Sequence, residues 1–384
     1  MDLNNYSIVL MMFFIIVRGS GKSITVHCNH LETSYCLIDE HINLPVEDNL
    51  YIIHPNRYFR TIDTILEIKP AQRSYIASIE SIFENFPELE KLFLSNSLAE
   101  MPSLSRTIST LKYANFRDNF ILKVPKIRGI IALEELNLNR NAIQTIDDYA
   151  FDDLKHLHTI RMDENQLTLI SNVTFAEANN LRVISLRKNH ITELQDGCFA
   201  LKNLRELNMA DNRLDALDDS IFIGAENIRI VNFSHNRIKF FNLNALIHAA
   251  PIELLNLEDN LIGMFETASI NCANELHLQL KQLNMAKNQL SSGNILNGLK
   301  CFQNLEILNL NRNEFTQIEN VVDLKFYFPH LIIVYLIDNK LKCNWLEQTI
   351  FDTSLIFTLT GRKRRNVNDK NHFVKNIKGI ACVS

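Results

Sequence analysis

Residues 133–143 read LEELNLNRNAI, with apolar side chains at Leu133, Leu136, Leu138 and Ile143 around Asn141. An apolar residue lies eight, five and three places before the asparagine, and another lies two places after it. This spacing recurs along the chain, and such regular recurrence indicates a repeat architecture. Ten asparagines occupy the position: Asn119, Asn141, Asn165, Asn189, Asn212, Asn236, Asn260, Asn288, Asn313 and Asn339.

The pattern L-x-x-L-x-L-x-x-N-x-L is typical of leucine-rich repeats, whose period is about 20 to 29 residues. Alternate residues of L-x-L point to opposite faces of a strand, so the leucines stack on those of the next coil. The sequence predicts an α/β solenoid, a leucine-rich repeat horseshoe with a parallel β-sheet on its concave face and disulfide-bonded caps at both ends. The expected domains are a signal peptide (1–21), an N-terminal cap (22–60), about 11 to 12 repeats (61–341) and a C-terminal cap (342–384).

The asparagines of the motif predict an internal ladder. A sharp turn after each strand leaves buried peptide groups without partners in the sheet. An asparagine side chain has an acceptor and two donors, so it satisfies such groups from inside the coil. The alternative, a set of surface turn residues, does not explain ten recurrences behind an apolar core. Phenylalanines ten places after several ladder asparagines, Phe151, Phe175, Phe199 and Phe222, predict a buried aromatic column.

The outward positions of the strands predict the binding surface, because a solenoid sheet presents them as one continuous face. Asparagine recurs between the last two leucines, where it either recognises a ligand or only solvates the sheet. A second feature is a basic stripe, which could meet an anionic glycan or an acidic protein. It consists of Arg117, Arg140, Arg161, Arg187 and Lys188. An apolar cluster at Ile307, Ile333, Tyr335 and Ile337 marks either a partner site or a surface covered by the C-terminal cap. The candidate ligand-binding residues are Arg117, Asn137, Arg140, Arg161, Arg187, Lys188, Asn208, Asn256, Asn284, Asn309 and Tyr335.

The N-terminus indicates secretion. Residues 8–17 form an apolar run that has the length of a signal-peptide core and is too short to span a bilayer. The leading segment contains Asp2 and no Lys or Arg, and the alternative is an uncleaved anchor. Cleavage is expected near residues 19–23. The mature chain is predicted to be extracellular, without a membrane span.

The cysteines predict stapled caps, since disulfides close short covers that lack a core of their own. The expected pairs are Cys28 with Cys36, Cys272 with Cys301 and Cys343 with Cys382. Cys198 remains, either as a buried free thiol or as a disulfide link to a partner. The run GRKRR at 361–365 is a surface loop or a protease site in the secretory route.

Other sequence features restrict the function. Asn172 and Asn232 begin glycosylation sequons, and Asn172 is the better candidate because it is predicted to lie in a convex loop. A net charge of −5 gives no general attraction for nucleic acid. No catalytic motif, metal-ligand spacing or cofactor loop is recognisable, so we expect neither an enzyme nor a metal or cofactor. His27, Cys28 and His30 are too crowded for zinc.

Two stretches near the ends resemble a narrower group. The short cap with its cysteine pair, followed by TIDTILEIKPAQRSYIASIESIFENFPELEKLFL (61–94), is similar to insect leucine-rich immune proteins. The stretch DNKLKCNWLEQTIF (338–351) is similar to the place where their repeats end in a cysteine and a capping helix. The resemblance implies a haemolymph protein that recognises pathogens or holds complement-like factors. Members of the group often carry a C-terminal coiled coil that forms dimers, and this chain would be a coil-less relative. A non-immune matrix or receptor–ligand binding protein is the alternative.

Overall fold

The computed structural model describes residues 79–218, 220–242, 246, 251–266, 279–321 and 324–352, together with short strands before and after them. The chain divides into two compact units, residues 1–162 (unit 1) and 163–384 (unit 2). The strands of unit 1 are β1 (Phe13–Ile15), β2 (Ile24–Val26), β3 (Cys28–Asn29), β4 (Tyr35–Ile38), β5 (Asn49–Leu50), β6 (Ile65–Ile68), β7 (Tyr75–Ile76), β8 (Lys91–Leu94), β9 (Tyr113–Asn115), β10 (Lys123–Val124), β11 (Glu135–Asn137), β12 (Thr145–Ile146) and β13 (Thr159–Arg161), with helix α1 at Glu80–Asn85.

Unit 2 continues the same succession of short strands. They are β14 (Leu169–Ile170), β15 (Val183–Ser185), β16 (Glu193–Leu194), β17 (Glu206–Asn208), β18 (Ile230–Asn232), β19 (Phe240–Asn242), β20 (Leu254–Asn256), β21 (Met264–Glu266), β22 (Gln282–Asn284), β23 (Ile307–Asn309), β24 (Ile333–Tyr335), β25 (Val374–Ile377) and β26 (Ile380–Val383). Helices α2 (Ile295–Leu299), α3 (Leu324–Tyr327) and α4 (Cys343–Asp352) lie in the last coils.

Each unit has a main sheet with one strand per coil. In unit 1 the order is β3-β4-β6-β8-β9-β11-β13, antiparallel only between β3 and β4, and in unit 2 it is β15-β17-β18-β20-β22-β23-β24. Neighbouring coils are in register, so that Leu207 is the Cα partner of Val231 and Val231 that of Leu255. These middle residues of the strands are buried. The predicted stacking of like apolar residues on successive coils is therefore confirmed.

The return segments on the other side of the coils consist mostly of turns. Two-residue strands pair there in parallel, for example β10 with β12 and β14 with β16. The column Phe151, Phe175, Phe199 and Phe222 is fully buried, and the rings of Phe175 and Phe199 are stacked with centroids 6.2 Å apart. Phe151 thus belongs to the core of unit 1, and Phe175, Phe199 and Phe222 belong to the core of unit 2.

A disulfide closes the C-terminal end of unit 2. Cys343 at the start of α4 is bonded to Cys382 in β26, with Cα atoms 5.0 Å apart, so the predicted pair is confirmed. Cys301 is also disulfide-bonded. Its predicted partner Cys272 lies outside the described residues. The backbone register sets Cys28 opposite Cys36, and their disulfide stays a prediction.

Each unit is therefore built of stacked coils with parallel strands, and the predicted leucine-rich repeat fold is confirmed. The predicted signal-peptide cleavage site and the run GRKRR lie outside the described residues.

Candidate binding surface

The ladder asparagines lie inside the coils and join neighbouring turns. Asn236 is 8% exposed, and its Oδ1 accepts a hydrogen bond from the Leu214 N–H at 3.1 Å. Its Nδ2 donates to the carbonyl oxygens of Met209 and Phe233 at 3.0 Å and of Ser234 at 3.3 Å. The same bridging between adjacent coils is made by Asn119, Asn141, Asn189, Asn212, Asn260, Asn288, Asn313 and Asn339. Asn165 Nδ2 donates to the Asp163 carbonyl oxygen of its own turn at 3.3 Å.

The residue before each ladder asparagine has a left-handed backbone. Its φ lies between 54° and 60° although it is never glycine. This conformation aims its N–H at the next coil, as where the His235 N–H donates to the Glu258 carbonyl oxygen at 2.8 Å. The residues in this position are Asp118, Arg140, Glu164, Lys188, Asp211, His235, Asp259, Lys287, Arg312 and Asp338. Most are charged, since a polar side chain on an exposed turn remains hydrated.

The outer asparagines, which lie between the last two leucines of each repeat, also form hydrogen bonds that stabilise the turn. The Oδ1 of each accepts the backbone N–H two residues later, at 3.0 to 3.1 Å, in Asn115, Asn137, Asn208, Asn232, Asn256, Asn284 and Asn309. Arg161 also belongs to this column, and at two further coils the column contains Ser185 and Tyr335. There the previous coil supplies the acceptor, Asp163 Oδ1 for the Arg187 N–H at 2.8 Å and Asn311 Oδ1 for the Ile337 N–H at 2.6 Å.

This turn contact changes the interpretation of the outer asparagines as ligand-binding residues. Their side-chain oxygens are used within the fold, so the donor Nδ2 is the group they can offer to a partner. In Asn284 even that group is engaged, since it donates to Glu258 Oε2 at 3.1 Å. The recurrence of asparagine was visible in the sequence. Its role as a local acceptor was missed, because the motif does not show that the N–H two residues later points at the asparagine side chain.

The candidate basic stripe is neutralised by its own surroundings. Every member lies within 4.0 Å of a carboxylate: Arg117 and Arg140 beside Asp118, Arg161 beside Glu135, Arg187 beside Asp211 and Lys188 beside Glu164. Three of these residues belong to unit 1 and two to unit 2. Such exposed pairs contribute little stability, yet they remove the excess positive potential that would attract an anion.

The open face of the unit 2 sheet, formed by the first and third residues of its strands, carries apolar side chains. Ile230 is 40% exposed and is the Cα partner of Leu254, which is half-buried. Ile307 and Ile333 pair in the same way, and Tyr335 is half-buried beside Asn309. These side chains therefore keep part of their surface accessible.

An ion-pair chain runs along one edge of this face. Glu253 accepts hydrogen bonds from Lys281 Nζ at 2.8 Å and from Arg229. These bonds, that from Lys281 first, hold the pKa of the Glu253 carboxyl below its ordinary value. The negative charge of Glu253 is thus balanced by Lys281 and Arg229.

Cys198 is placed where the buried-thiol alternative expects it. It is 2% exposed and free. Burial raises the pKa of its thiol to about 12, so the reactive thiolate is scarce at neutral pH. A disulfide to a partner would require the coil to open.

The two sequons differ in their surroundings. Asn172 is exposed in a turn, and its N–H donates to Gln195 Oε1 at 3.1 Å. The side-chain oxygen of Asn232 accepts from the Ser234 N–H at 3.0 Å, and Ser234 is buried. Glycosylation of Asn172 and Asn232 stays a prediction.

Two general properties complete the description of the surface. No helix in the described part of the chain is long and apolar enough to cross a bilayer. Within that part, no group of three or more His, Cys, Asp or Glu side chains could hold a metal ion.

Family models match part of the chain. A leucine-rich repeat model matches residues 131–191 and 202–262, and a model of two leucine-rich repeat copies matches residues 179–221. None of the curated proteins compared with the chain matches it. Residues 131–262 therefore contain leucine-rich repeats, and the same asparagine ladder continues in the coils on either side of them.

Several solved structures are similar to this chain. A leucine-rich repeat protein of Leptospira interrogans is 19% identical with a TM-score of 0.54, over 71% of this chain and 74% of its own. An internalin of Listeria monocytogenes is 19% identical with a TM-score of 0.45, over 65% and 73%. The Drosophila Toll–Spätzle complex, described as a hub in development and innate immunity, gives 19% identity and a TM-score of 0.46, over 72% and 44%. At such identities the first similarity indicates the fold alone.

Proposed function

We propose that the chain is a secreted protein that binds an extracellular protein through the open face of its unit 2 sheet. The observation that carries the proposal is the pairing of Ile230 with Leu254 on this face, with Ile230 40% exposed. Water-exposed apolar side chains on a rigid sheet favour a partner that buries them. Leucine-rich repeats generally mediate protein–protein interaction, and no catalytic family is indicated for the chain.

Secretion is supported by two independent features. The apolar run at residues 8–17 has the length of a signal-peptide core. The Cys343–Cys382 disulfide belongs to a class of bond that persists in oxidising compartments and is rare in the cytosol.

Within this role, we propose innate immune recognition or the holding of complement-like factors. Support comes from the resemblance of residues 61–94 and 338–351 to insect leucine-rich immune proteins. The neutralised basic stripe favours a protein over an anionic glycan as the partner. A matrix or receptor–ligand partner is the competing role.

Affinity capture tests the binding face. The secreted chain is compared with Ile230→Lys and with Ile223→Lys, a matched control because Ile223 is 47% exposed in the turn that precedes β18. We expect Ile230→Lys to lose the partner captured from body fluid and Ile223→Lys to retain it. Equal capture by both variants would reject the face. Complement-like or microbial molecules among the captured material support immunity, whereas matrix or receptor proteins support the competing role.

A further inference from the structure

Three arginines occupy equivalent positions on neighbouring coils of unit 2. Arg182, Arg205 and Arg229, which we call the arginine edge, each stand immediately before the strand of their coil and are exposed. The Arg205 N–H donates to the Arg182 carbonyl oxygen, and the Arg229 N–H donates to the Arg205 carbonyl oxygen, both at 2.8 Å. The backbone thus aligns three guanidinium-bearing residues at the coil spacing, about 4.8 Å apart.

Arg182 and Arg205 differ from many basic residues of unit 2, which form ion pairs. Several basic side chains lie beside carboxylates of adjacent coils, including Arg187, Lys188, Lys202, Arg229, Lys281, Lys287, Arg312 and Lys340. Within the described part of the chain, Arg182 and Arg205 have no carboxylate within 4.0 Å. Their charge is therefore available to a partner.

The backbone beneath the arginine edge is fixed by side chains. Asn203, two residues before Arg205, donates from Nδ2 to the Asn179 carbonyl oxygen at 2.8 Å. Asn227, two residues before Arg229, donates to the Lys202 carbonyl oxygen at 2.8 Å. Because these bonds hold the backbone in place, a ligand need not order it, and preorganisation of this kind favours affinity.

Apolar side chains adjoin the arginine edge on the open face. Val183 and Ile230 directly follow Arg182 and Arg229, and Leu254 is the Cα partner of Ile230. Glu206 lies between Val183 and Ile230 in the same column and is exposed. With Glu253, Lys281 and Glu306 included, this region has four cations and three carboxylates. The region combines an excess of positive charge with an apolar strip.

We propose that Arg182 and Arg205 bind carboxylates of an acidic, partly apolar segment of a protein partner, which places its apolar side chains on Ile230 and Leu254. The inference rests on the proposed function and names the chemistry of the partner. Arginine suits this task because its planar guanidinium offers paired donors to a carboxylate. A sulfated glycan would satisfy the cations but would leave the apolar strip uncovered, so the protein segment is favoured.

The probe is a labelled synthetic peptide of alternating Glu and Leu, whose extended form places acid on one side and apolar groups on the other. Its binding to the full chain is measured by fluorescence anisotropy at low salt. We expect Arg182→Gln/Arg205→Gln to weaken binding by about tenfold or more, because charge-assisted hydrogen bonds are lost. Glu206→Gln is expected to tighten binding, since it removes a repelling carboxylate.

The matched control is Arg213→Gln/Arg237→Gln. These arginines are exposed on neighbouring coils, have no ion pair in the described part of the chain, and follow the ladder asparagines. The control removes the same net charge at a different position of the repeat. Because salt screens long-range attraction, it should change binding by less than about threefold. Equal losses from both double variants, or no peptide binding to the wild type, would overturn the proposal. Binding of a heparin fragment in preference to the peptide would overturn it in favour of a glycan.

The outcomes separate this inference from the proposed function. If Ile230→Lys loses the captured partner but the Arg182→Gln/Arg205→Gln chain retains both partner and peptide, only the arginine assignment is wrong. If the wild type captures no partner, the proposed function fails, and the peptide measurement still tests the arginines. Unchanged circular dichroism and melting of each variant exclude misfolding as the cause.

Discussion

At the scale of the residue, one inner asparagine satisfies several peptide groups that cannot bond within the sheet. Asn236 contacts the backbone of its own turn and that of the previous coil. An outer asparagine such as Asn232 satisfies a single N–H of its own turn. The same residue type therefore has two different energetic roles at positions four residues apart, as in Asn232 and Asn236.

The two roles predict different losses of stability. We expect Asn236→Ala to lower the free energy of unfolding by about 1–3 kcal/mol, because buried peptide groups lose their partners. Asn232→Ala, the matched control, leaves a single N–H without its acceptor and should cost less. Urea denaturation of both variants measures the difference. A smaller loss for Asn236→Ala than for Asn232→Ala would contradict the internal ladder as a stabilising feature.

The left-handed turn position gives a second prediction. Arg312 has φ of 56°, and its N–H donates to the Ile337 carbonyl oxygen at 2.7 Å. We expect Arg312→Val to destabilise the protein by about 1–2 kcal/mol, since a β-branched residue is strained there. Arg312→Gly, which loses the same exposed ion pair with Asp338, should be neutral or stabilising. Equal melting temperatures for the two variants would argue against backbone strain.

Cys198 predicts an alkaline loss of stability. Its thiol pKa is raised from 9.0 to about 12 in the folded chain, so between these values the unfolded thiol ionises while the folded thiol stays protonated. Stability from this group is complete below the unfolded pKa and is lost as pH rises toward the folded pKa. The unfolding free energies of wild type and Cys198→Ala are measured at about pH 8 and pH 10.5. Between these values the wild type should lose stability relative to Cys198→Ala. A pH-independent difference between them would contradict the burial of the thiol.

At the scale of the element, the sequence predicted the strands well because the leucine spacing demands one buried face. Leu136, Leu207 and Leu255 occupy the middle of their strands and are buried as the pattern requires. The ion pairs were less predictable. Arg187 meets Asp211 on the next coil, and the separation of 24 residues becomes contact only when the repeat length is known. The basic stripe was therefore visible as residues, but its neutralisation was not.

The C-terminal cap provides a prediction for this scale. The Cys343–Cys382 bond spans a sequence separation of 39 residues. Replacing both cysteines by serine should lower stability by about 4 kcal/mol in the chain-entropy model. Differential scanning calorimetry with and without reductant measures the loss, and the double variant should be insensitive to reductant at this site. A melting temperature unaffected by the double substitution would show that the cap needs no cross-link.

At the scale of the whole molecule, repetition made the class predictable while the partner was not. Ten asparagines in register define the fold, because stacked coils must repeat the same contacts. Arg182 and Arg205 occupy the variable positions of the repeat, which stacking leaves unconstrained. Whether they are free to bind a partner depends on which carboxylates lie nearby. The sequence alone does not show these neighbours, because they belong to adjacent coils.

Secretion is the prediction that belongs to the whole chain. Expressed from its own N-terminus in a secreting eukaryotic cell, the protein should appear in the medium with a new N-terminus near residues 20–24. N-terminal sequencing and the intact mass measure the cleavage. Retention in the membrane fraction with Met1 still present would support the uncleaved anchor. Deglycosylation of the same material tests Asn172 and Asn232.

The turn contact of the outer asparagines has a consequence for evolution. Most coils supply their own acceptor for the N–H two residues later, so they complete this turn without help from their neighbours. A coil gained or deleted as a whole would bring its turn chemistry with it. The surface could therefore lengthen or shorten in whole units, and natural variants of such a protein are expected to differ by entire repeats more readily than by parts of one.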